Sequence, residues 1–263
     1  MILIGEKLNS SIPAACEAMN ARDEASIVAL IRRQADAGAR FLDVNTAICG
    51  EDALDRMLWV IGLIKSHCDC GIMIDTTDEA VMSRAVEAAA GRELILNSAT
   101  IDERFGWVTA LARESGAAVV GLPIDADGMP HSLEDKCGKI DLLVKKLREA
   151  GFADEKIYVD VLVETLATGS ESARNTIGAV RHVREHYPDV KTTCGLSNVS
   201  FGLPRRALVN AAFLSAAVFT GLSSAIIDPA SPAMRDALAA ANVVAGLDDY
   251  CMEYITYIRS QEA

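Results

Sequence analysis

The sequence predicts a single (β/α)8 TIM barrel, an α/β fold in which eight parallel strands close on themselves, on three observations. First, short apolar runs alternate with longer helical patterns along the chain, at a period of roughly 30 residues, which is the signature of βαβ units. Second, eight such runs occur, at about 2–5, 41–45, 71–75, 93–97, 117–122, 156–160, 192–197 and 223–228. Each is short and continuously apolar, as a strand buried on both faces requires. Third, a length of 263 residues suits one such barrel over 1–263, although it would also suit two average domains. An open doubly wound sheet is the competing architecture. No Gly-x-Gly-x-x-Gly turn follows the first strand, which weighs against a dinucleotide fold.

The stretches between the strands read as amphipathic helices. Residues 23–37 place Ile27, Leu30, Ile31 and Ala35 on one face, with Arg32, Arg33 and Asp36 elsewhere, and Gly38 ends the pattern as glycine does after a helix C-terminus. The same stop recurs at Glu114-Ser115-Gly116 and at Glu149-Ala150-Gly151. A final helix is expected over about 232–258, alanine-rich at its start.

Composition narrows the function. With 51% hydrophobic residues the chain has ample material for a core and is not disordered. It carries 25 basic and 37 acidic residues, a net charge of −12, which argues against nucleic acid and against an anionic membrane surface. No apolar stretch is long enough for a transmembrane helix. The start, Met1-Ile2-Leu3-Ile4-Gly5-Glu6, has no basic n-region and is not expected to be a signal peptide. Seven scattered cysteines read as free thiols of a cytoplasmic protein. No metal site is expected. Cys68-Asp69-Cys70 beside His67 lacks a second ligand pair, and His182 and His186 lack the zincin glutamate, so a solvated helix face is the better reading of the histidines. The acidic run Ile124–Pro130 and the small polar run Leu166–Ser170 read as barrel-mouth loops.

In this fold chemistry sits at the C-terminal ends of the strands. The first run leads to Glu6, Lys7 and Asn9; the second ends in Asp43-Val44-Asn45, the third in Asp75-Thr76-Thr77, the fourth in Asn97-Ser98. The sixth ends in Asp160, the seventh runs Gly195-Leu196-Ser197-Asn198-Val199-Ser200, and the eighth ends in Asp228. Any one of these is as well read as a helix cap. Repeated at most strand ends, they describe a mouth rich in hydrogen-bond acceptors with some amide donors. Such a mouth suits a neutral, flat, donor-rich heterocycle and not a phosphate, which needs backbone nests, Lys or Arg. A pterin ring fits: Asp75 and Asp160, from separated strands, can accept from its amino and ring N–H groups, with Asn97 on another edge.

Gly5-Glu6-Lys7-Leu8-Asn9, Leu42-Asp43-Val44-Asn45, Ile74-Asp75-Thr76-Thr77, Leu96-Asn97-Ser98 and Gly195-Leu196-Ser197-Asn198-Val199-Ser200, with Arg206 and Asn210 downstream, resemble the methyltetrahydrofolate:corrinoid methyltransferases. They also resemble the folate module of cobalamin-dependent methionine synthase. The resemblance runs from Met1 to about Asp228. It implies a pterin-binding barrel that moves the N5-methyl of methyltetrahydrofolate to or from the cobalt of a corrinoid. The corrinoid would be carried by a partner protein, since no Asp-x-His-x-x-Gly signature is present. The resemblance further implies a homodimer. Asp75, Asn97 and Asp160 match pterin-contacting positions, Asn198 the amide beside N5, and Gly195, Ser197 and Arg206 supporting positions of that loop. Glu6, Asn9, Asn45 and Asp228 complete the expected binding residues.

No histidine lies at a strand end, so an ordinary general acid is missing. Asn198 is expected to donate a hydrogen bond to N5 that strengthens as the C–N bond breaks. The proton for N5 can reach it from water through Asp75, Asp43 or Ser197, and the sequence does not choose among them. Two rivals stand beside this assignment. A dihydropteroate synthase-like enzyme would need cations at the last strands for pyrophosphate, where only Arg205 and Arg206 lie near. The other rival is a non-catalytic pterin-binding subunit of a methyl-transfer complex.

Overall fold

The computed structural model describes residues 1–262. Its strands are β1 (Ile2–Asn9), β2 (Phe41–Asn45), β3 (Gly71–Asp75), β4 (Leu94–Thr100), β5 (Ala118–Leu122), β6 (Ile157–Asp160), β7 (Lys191–Thr193) and β8 (Ser224–Ile227). All neighbouring strands are parallel, in the order β7-β6-β5-β4-β3-β2-β1-β8. The seam between β7 and β8 has no regular ladder. It is closed by Ile226 N–H donating to Cys194 O at 2.9 Å and by the Ser224 hydroxyl donating to Thr192 O at 2.8 Å. The predicted barrel is therefore the observed one.

Helices α1 (Pro13–Asn20), α2 (Glu24–Asp36), α3 (Ala53–His67), α4 (Glu79–Ala88), α5 (Arg104–Ser115), α6 (Leu133–Glu149), α7 (Ser172–His186), α8 (Arg206–Thr220), α9 (Pro232–Val244) and α10 (Met252–Glu262) follow the strands. Several start on side-chain caps at the sites the sequence offers: Asp23 accepts from Ser26 N, Asp78 from Val81 N and Ser132 from Asp135 N. Such caps satisfy first-turn N–H groups that have no helical partner. No helix among the described residues is long and apolar enough to cross a membrane.

Strand alternation divides the core in two. Leu42, Val44, Ile72, Ile74, Leu94 and Leu96 are buried in the cluster that includes Ile27, Ile31 and Ile61 of the helices. The other parity, Ile4, Phe41, Met73, Ile95, Val120 and Tyr158, forms a separate apolar plug within the barrel. Two residues beyond Phe41, Met73, Ile95 and Tyr158 on the same face come Asp43, Asp75, Asn97 and Asp160.

Three local departures from the sequence expectation matter. β1 continues to Asn9 because its register on β2 slips between Gly5 and Leu8, so Glu6 and Lys7 lie in an irregular stretch of strand. β7 stops at Thr193, and Leu196–Ser200 is a 3-10 turn. The expected helix over 232–258 is two helices: Gly246, Tyr250 and Cys251 take positive φ, and Asp248 accepts from Glu253 N and Tyr254 N to start α10.

Gly71 opens β3 directly beneath Phe41. A Cβ there would lie 2.4 Å from two carbons of the Phe41 ring and 3.0 Å from Glu93 O. Gly71→Ala is expected to destabilise the protein by about 1–3 kcal/mol through overpacking of the barrel floor, read from the midpoint and slope of urea unfolding.

Candidate active site

A cavity of about 830 Å³ opens at the C-terminal end of the barrel. Its walls bring together Glu6 and Asn9 of β1, Asp43, Asp75, Asp160, the Gly195–Asn198 loop, Arg206 and Asn210 of α8, and Asp228 after β8. Asn45 and Asn97 are not on its surface. Asn45 stands behind the wall and donates to Asp75 Oδ2 at 2.8 Å. Asn97 pairs with Asp75 across the sheet, and its amide lies 3.8 Å from Met73 Sδ.

Asp43, Asp75 and Asp160 form an acidic floor over the apolar plug. Asp43 is almost fully buried, and its Oδ1 has no hydrogen-bond partner. Burial, then the charges of Asp75 and Glu6, push its carboxyl well above the ordinary range. Burial also raises Asp75, against the Asn45 hydrogen bond and the charge of Arg104. Asp160 is pushed up to about 6 by burial, opposed by the Leu162 N–H bond and Lys136, with Asp75 adding to the rise. In each case loss of hydration is the first cause.

The rim is built differently, as a web of engaged charges. Lys7 Nζ lies 2.9 Å from Glu6 Oε1 and 3.5 Å from Asp228 Oδ2, and Arg33 lies 3.4 Å from the same Asp228 oxygen. Ser197 Oγ donates to Glu6 Oε2 at 3.0 Å, tying the loop after β7 to β1. Arg206 Nη2 donates to Ser197 O at 2.6 Å and its Nε to Ser200 Oγ at 3.0 Å, so the guanidinium fixes the turn. Asn198 is exposed on that turn, and its amide lies over Gly195, where a Cβ would sit 3.0 Å from Nδ2. Asn9 holds the lip by accepting from Ser11 N at 2.8 Å.

Two cavity residues carry buried oxygens with no partner, Asp43 Oδ1 and Asn210 Oδ1. Both are built to accept, and buried polar atoms left unpaired in this way point to a missing donor. Asn210 was visible in the sequence only as part of a motif. Its spacing from Arg206, one helical turn along α8, is the signal that puts both on one face. Arg104, which acts on Asp75 from the start of α5, had no sequence signal.

The features read as structural stay outside the cavity. Cys68 and Cys70 precede β3, at the opposite end of the barrel. The acidic loop after β5 is neutralised by Lys139, whose Nζ donates to Asp125 Oδ1 at 2.7 Å and Gly128 O at 2.9 Å. Of the histidines on α7, His186 is exposed as expected, whereas His182 Nε2 lies 2.6 Å from Asp141 Oδ1, which also accepts from Tyr187 at 2.8 Å. This is a packing contact between α6 and α7.

Residues 5–228 match the family model described as pterin binding enzyme. The chain is 31% identical over 257 residues to a methylcorrinoid:tetrahydrofolate methyltransferase of Eubacterium limosum, covering 97% of this chain and 94% of that protein. It is 34% identical over 241 residues to methionine synthase of Mycobacterium tuberculosis, covering 86% of this chain and 20% of that longer protein. Among solved structures, a dihydropteroate synthase of Coxiella burnetii in complex with pteroic acid superposes with a TM-score of 0.69 at 18% identity, over 93% of both chains. The Yersinia pestis dihydropteroate synthase with a sulfonamide drug complex gives 0.67 at 16% identity, over 92% of this chain and 93% of that one. At these identities the likeness is one of fold.

Holding Asp160 ionised in the folded state opposes stability. Its raised folded value means that the fold binds this proton more tightly than the unfolded chain does, so its contribution is fully present at low pH and is lost as pH rises through about 6. Asp160→Asn is accordingly expected to raise the unfolding free energy at about pH 7.5 by about 1–3 kcal/mol. The gain should shrink toward about pH 4, where the wild-type carboxyl takes its proton. Urea unfolding of both proteins across that range reads the difference.

Proposed function

The chain belongs to the family of pterin binding enzymes, and from that membership we infer that it is a methyltransferase moving the N5-methyl group between methyltetrahydrofolate and the cobalt of a corrinoid protein. The relative from Eubacterium limosum, matched along nearly its whole length, supports the reaction class. The observation that carries the inference is the donor-poor cavity floor. Asp43 and Asn210 present unpartnered acceptor oxygens there, beside Asp75 and Asp160. The pyrimidine edge of a pterin brings the amino and ring N–H donors such a floor lacks, and ionised carboxylates accept these in charge-assisted bonds.

In this assignment Asp75 and Asp160 clamp the ring, Asn45 orients Asp75, and Asn97 borders the same edge. Asn210 and Asp43 accept the remaining donors. Glu6, Ser197, Gly195 and Arg206 hold the turn that offers Asn198 to N5, and Asn9 and Asp228 frame the mouth. Transfer to cobalt is an in-line displacement. The carbon–nitrogen electron pair stays on N5, which takes a proton, while the corrinoid's nucleophilic cobalt, as substrate, forms the new bond to the methyl carbon. Asn198 donates a hydrogen bond to N5 that strengthens as charge develops, an interaction that costs about 3–4 kcal/mol when removed. The Asp43–Asp75 pair supplies the proton: burial and the charges of Asp75 and Glu6 raise the proton affinity of Asp43, whereas the Ser197 hydroxyl is already given to Glu6. The reverse direction uses the same groups.

The corrinoid arrives on a partner protein at the open mouth, and a cytoplasmic homodimer completes the assignment. A pyrophosphate-releasing synthase is disfavoured by the engagement of the rim cations. Lys7 is committed to Glu6 and Asp228, and Arg206 to the Ser197–Ser200 turn.

Two measurements test this function. Calorimetric titration with methyltetrahydrofolate should show binding that weakens in Asp75→Ala and Asp160→Ala; wild-type affinity in both variants would remove those residues from the site. With a corrinoid protein present, the cobalt spectrum should report interconversion of Co(I) and methyl-Co(III). Asn198→Ala should slow it roughly 10²-fold or more. An unchanged rate would exclude Asn198 from the mechanism, and absence of any conversion in the wild type would leave a binding subunit in place of an enzyme.

A further inference from the structure

Lys136 lies in the first turn of α6 and is only 1% exposed, among the bulkiest fully buried side chains of the molecule. A lysine in such a place ordinarily threads its ammonium out to water. Here Nζ turns inward and donates to the carbonyls of Val161, at 3.3 Å, and Leu162, at 2.8 Å. Glu164 Oε2 stands 4.0 Å away. Both carbonyls belong to the turn that directly follows Asp160. Within it Leu162 takes φ +53°, an uncommon conformation for a leucine, and its N–H donates to Asp160 Oδ1 at 2.8 Å. Thr176 of α7 adds a hydroxyl bond to Leu162 O at 3.0 Å. The turn is thus held from three sides, and its shape sets where the Asp160 carboxylate points.

Packing does not explain a cation here. Burying an ammonium costs several kcal/mol unless the charge is used, and Thr176 shows that a neutral donor can meet the Leu162 carbonyl. A neutral donor cannot supply a positive charge behind Asp160.

We propose that Lys136 is a positioning residue of the folate site, which fixes the turn after β6 so that Asp160 faces the cavity and supplies the positive charge that balances this carboxylate. It rests on the assignment of Asp160 to folate binding made above. Asp160 faces Asp75 from β3, Lys136 from α6 and the Cys194 thiol beyond β7. Lys136 in turn faces Asp160, Glu164 and the Cys137 thiol. Burial lowers Lys136 while Glu164 and Asp160 raise it, and Lys136 opposes the burial that lifts Asp160. Each charge holds the other ionised, so loss of the cation carries Asp160 toward its neutral form, which accepts hydrogen bonds from ring N–H groups less well.

Three variants separate charge from packing. Lys136→Met removes donor and charge, Lys136→Gln keeps a donor for the turn, and Lys136→Arg keeps the charge. Calorimetric titration with methyltetrahydrofolate from about pH 6 to about pH 9 should show about tenfold weaker binding near neutrality in the Met and Gln variants, recovering as pH rises. The Arg variant should stay within about threefold of wild type, with the same pH profile. Unchanged affinity in Lys136→Gln, or a loss that pH does not relieve, overturns the proposal, the latter by showing a structural role alone. Failure of the wild type to bind folate overturns the assignment of the site and the proposal with it. Should the neutral variants not fold, infrared titration of the Asp160 carboxylate in the wild type, with Asp160→Asn as reference, decides. An ionisation near 6 supports the balancing charge, and one well above neutrality refutes it.

Discussion

The site depends on the placement of carboxyl groups immediately above a sealed apolar plug. Phe41, Met73, Ile95 and Tyr158 fill the barrel interior, and the next inward positions are Asp43, Asp75, Asn97 and Asp160. Strand alternation leaves no choice about this. A residue two places beyond an inward plug residue points inward as well. The plug excludes water from below, so the carboxyls lose hydration on that side, and burial becomes the first cause of their raised proton affinities. A ligand bringing N–H donors restores what the plug removed. The same low dielectric that makes the empty floor unfavourable strengthens each bond made to it.

Above the floor the architecture changes from strands to clamps. Three strands end in geometry that deviates from a regular barrel, and each deviation is fixed by a named partner. The slipped register of β1 brings Glu6 into reach of Ser197. The short β7 gives way to a turn secured by Arg206. The left-handed Leu162 after β6 is pinned by Lys136 and Thr176. Irregular backbone persists only where its surroundings over-determine it, and here those places ring one cavity.

The fold was legible because it rests on local rules. Eight apolar runs, their glycine stops and the polar strand ends are all read from neighbours in sequence, and seven of the eight strands fall within a few residues of expectation. The seventh was overextended because Cys194 and Leu196 are as buried as strand residues, so hydrophobicity alone cannot distinguish a buried turn from a strand end. The site was legible as a set of residues and not as a geometry. Asn45 and Asn97 are polar at the right height but face a carboxylate and a thioether. Lys136 carried no sequence signal, since a lysine in the first turn of an amphipathic helix is expected on its solvent face.

The balance of charge around the cavity gives the arrangement its chemical direction. Five carboxyls, from Glu6, Asp43, Asp75, Asp160 and Asp228, meet at the mouth. The nearby cations are arranged to serve them or the backbone: Lys7 and Arg33 face Asp228, Arg206 holds a turn, and Lys136 stands behind Asp160. Lys7, Arg33, Arg206 and Lys136 are thus all engaged within the protein. In the proposed assignment this balance favours a flat group that donates hydrogen bonds and carries no charge where it meets the floor. The same floor raises the proton affinity of Asp43, through burial and the charges of Asp75 and Glu6. An acidic floor that costs stability when empty and carboxyls of raised proton affinity are two consequences of the same dehydration. A substitution that makes the floor comfortable in the free protein must weaken both.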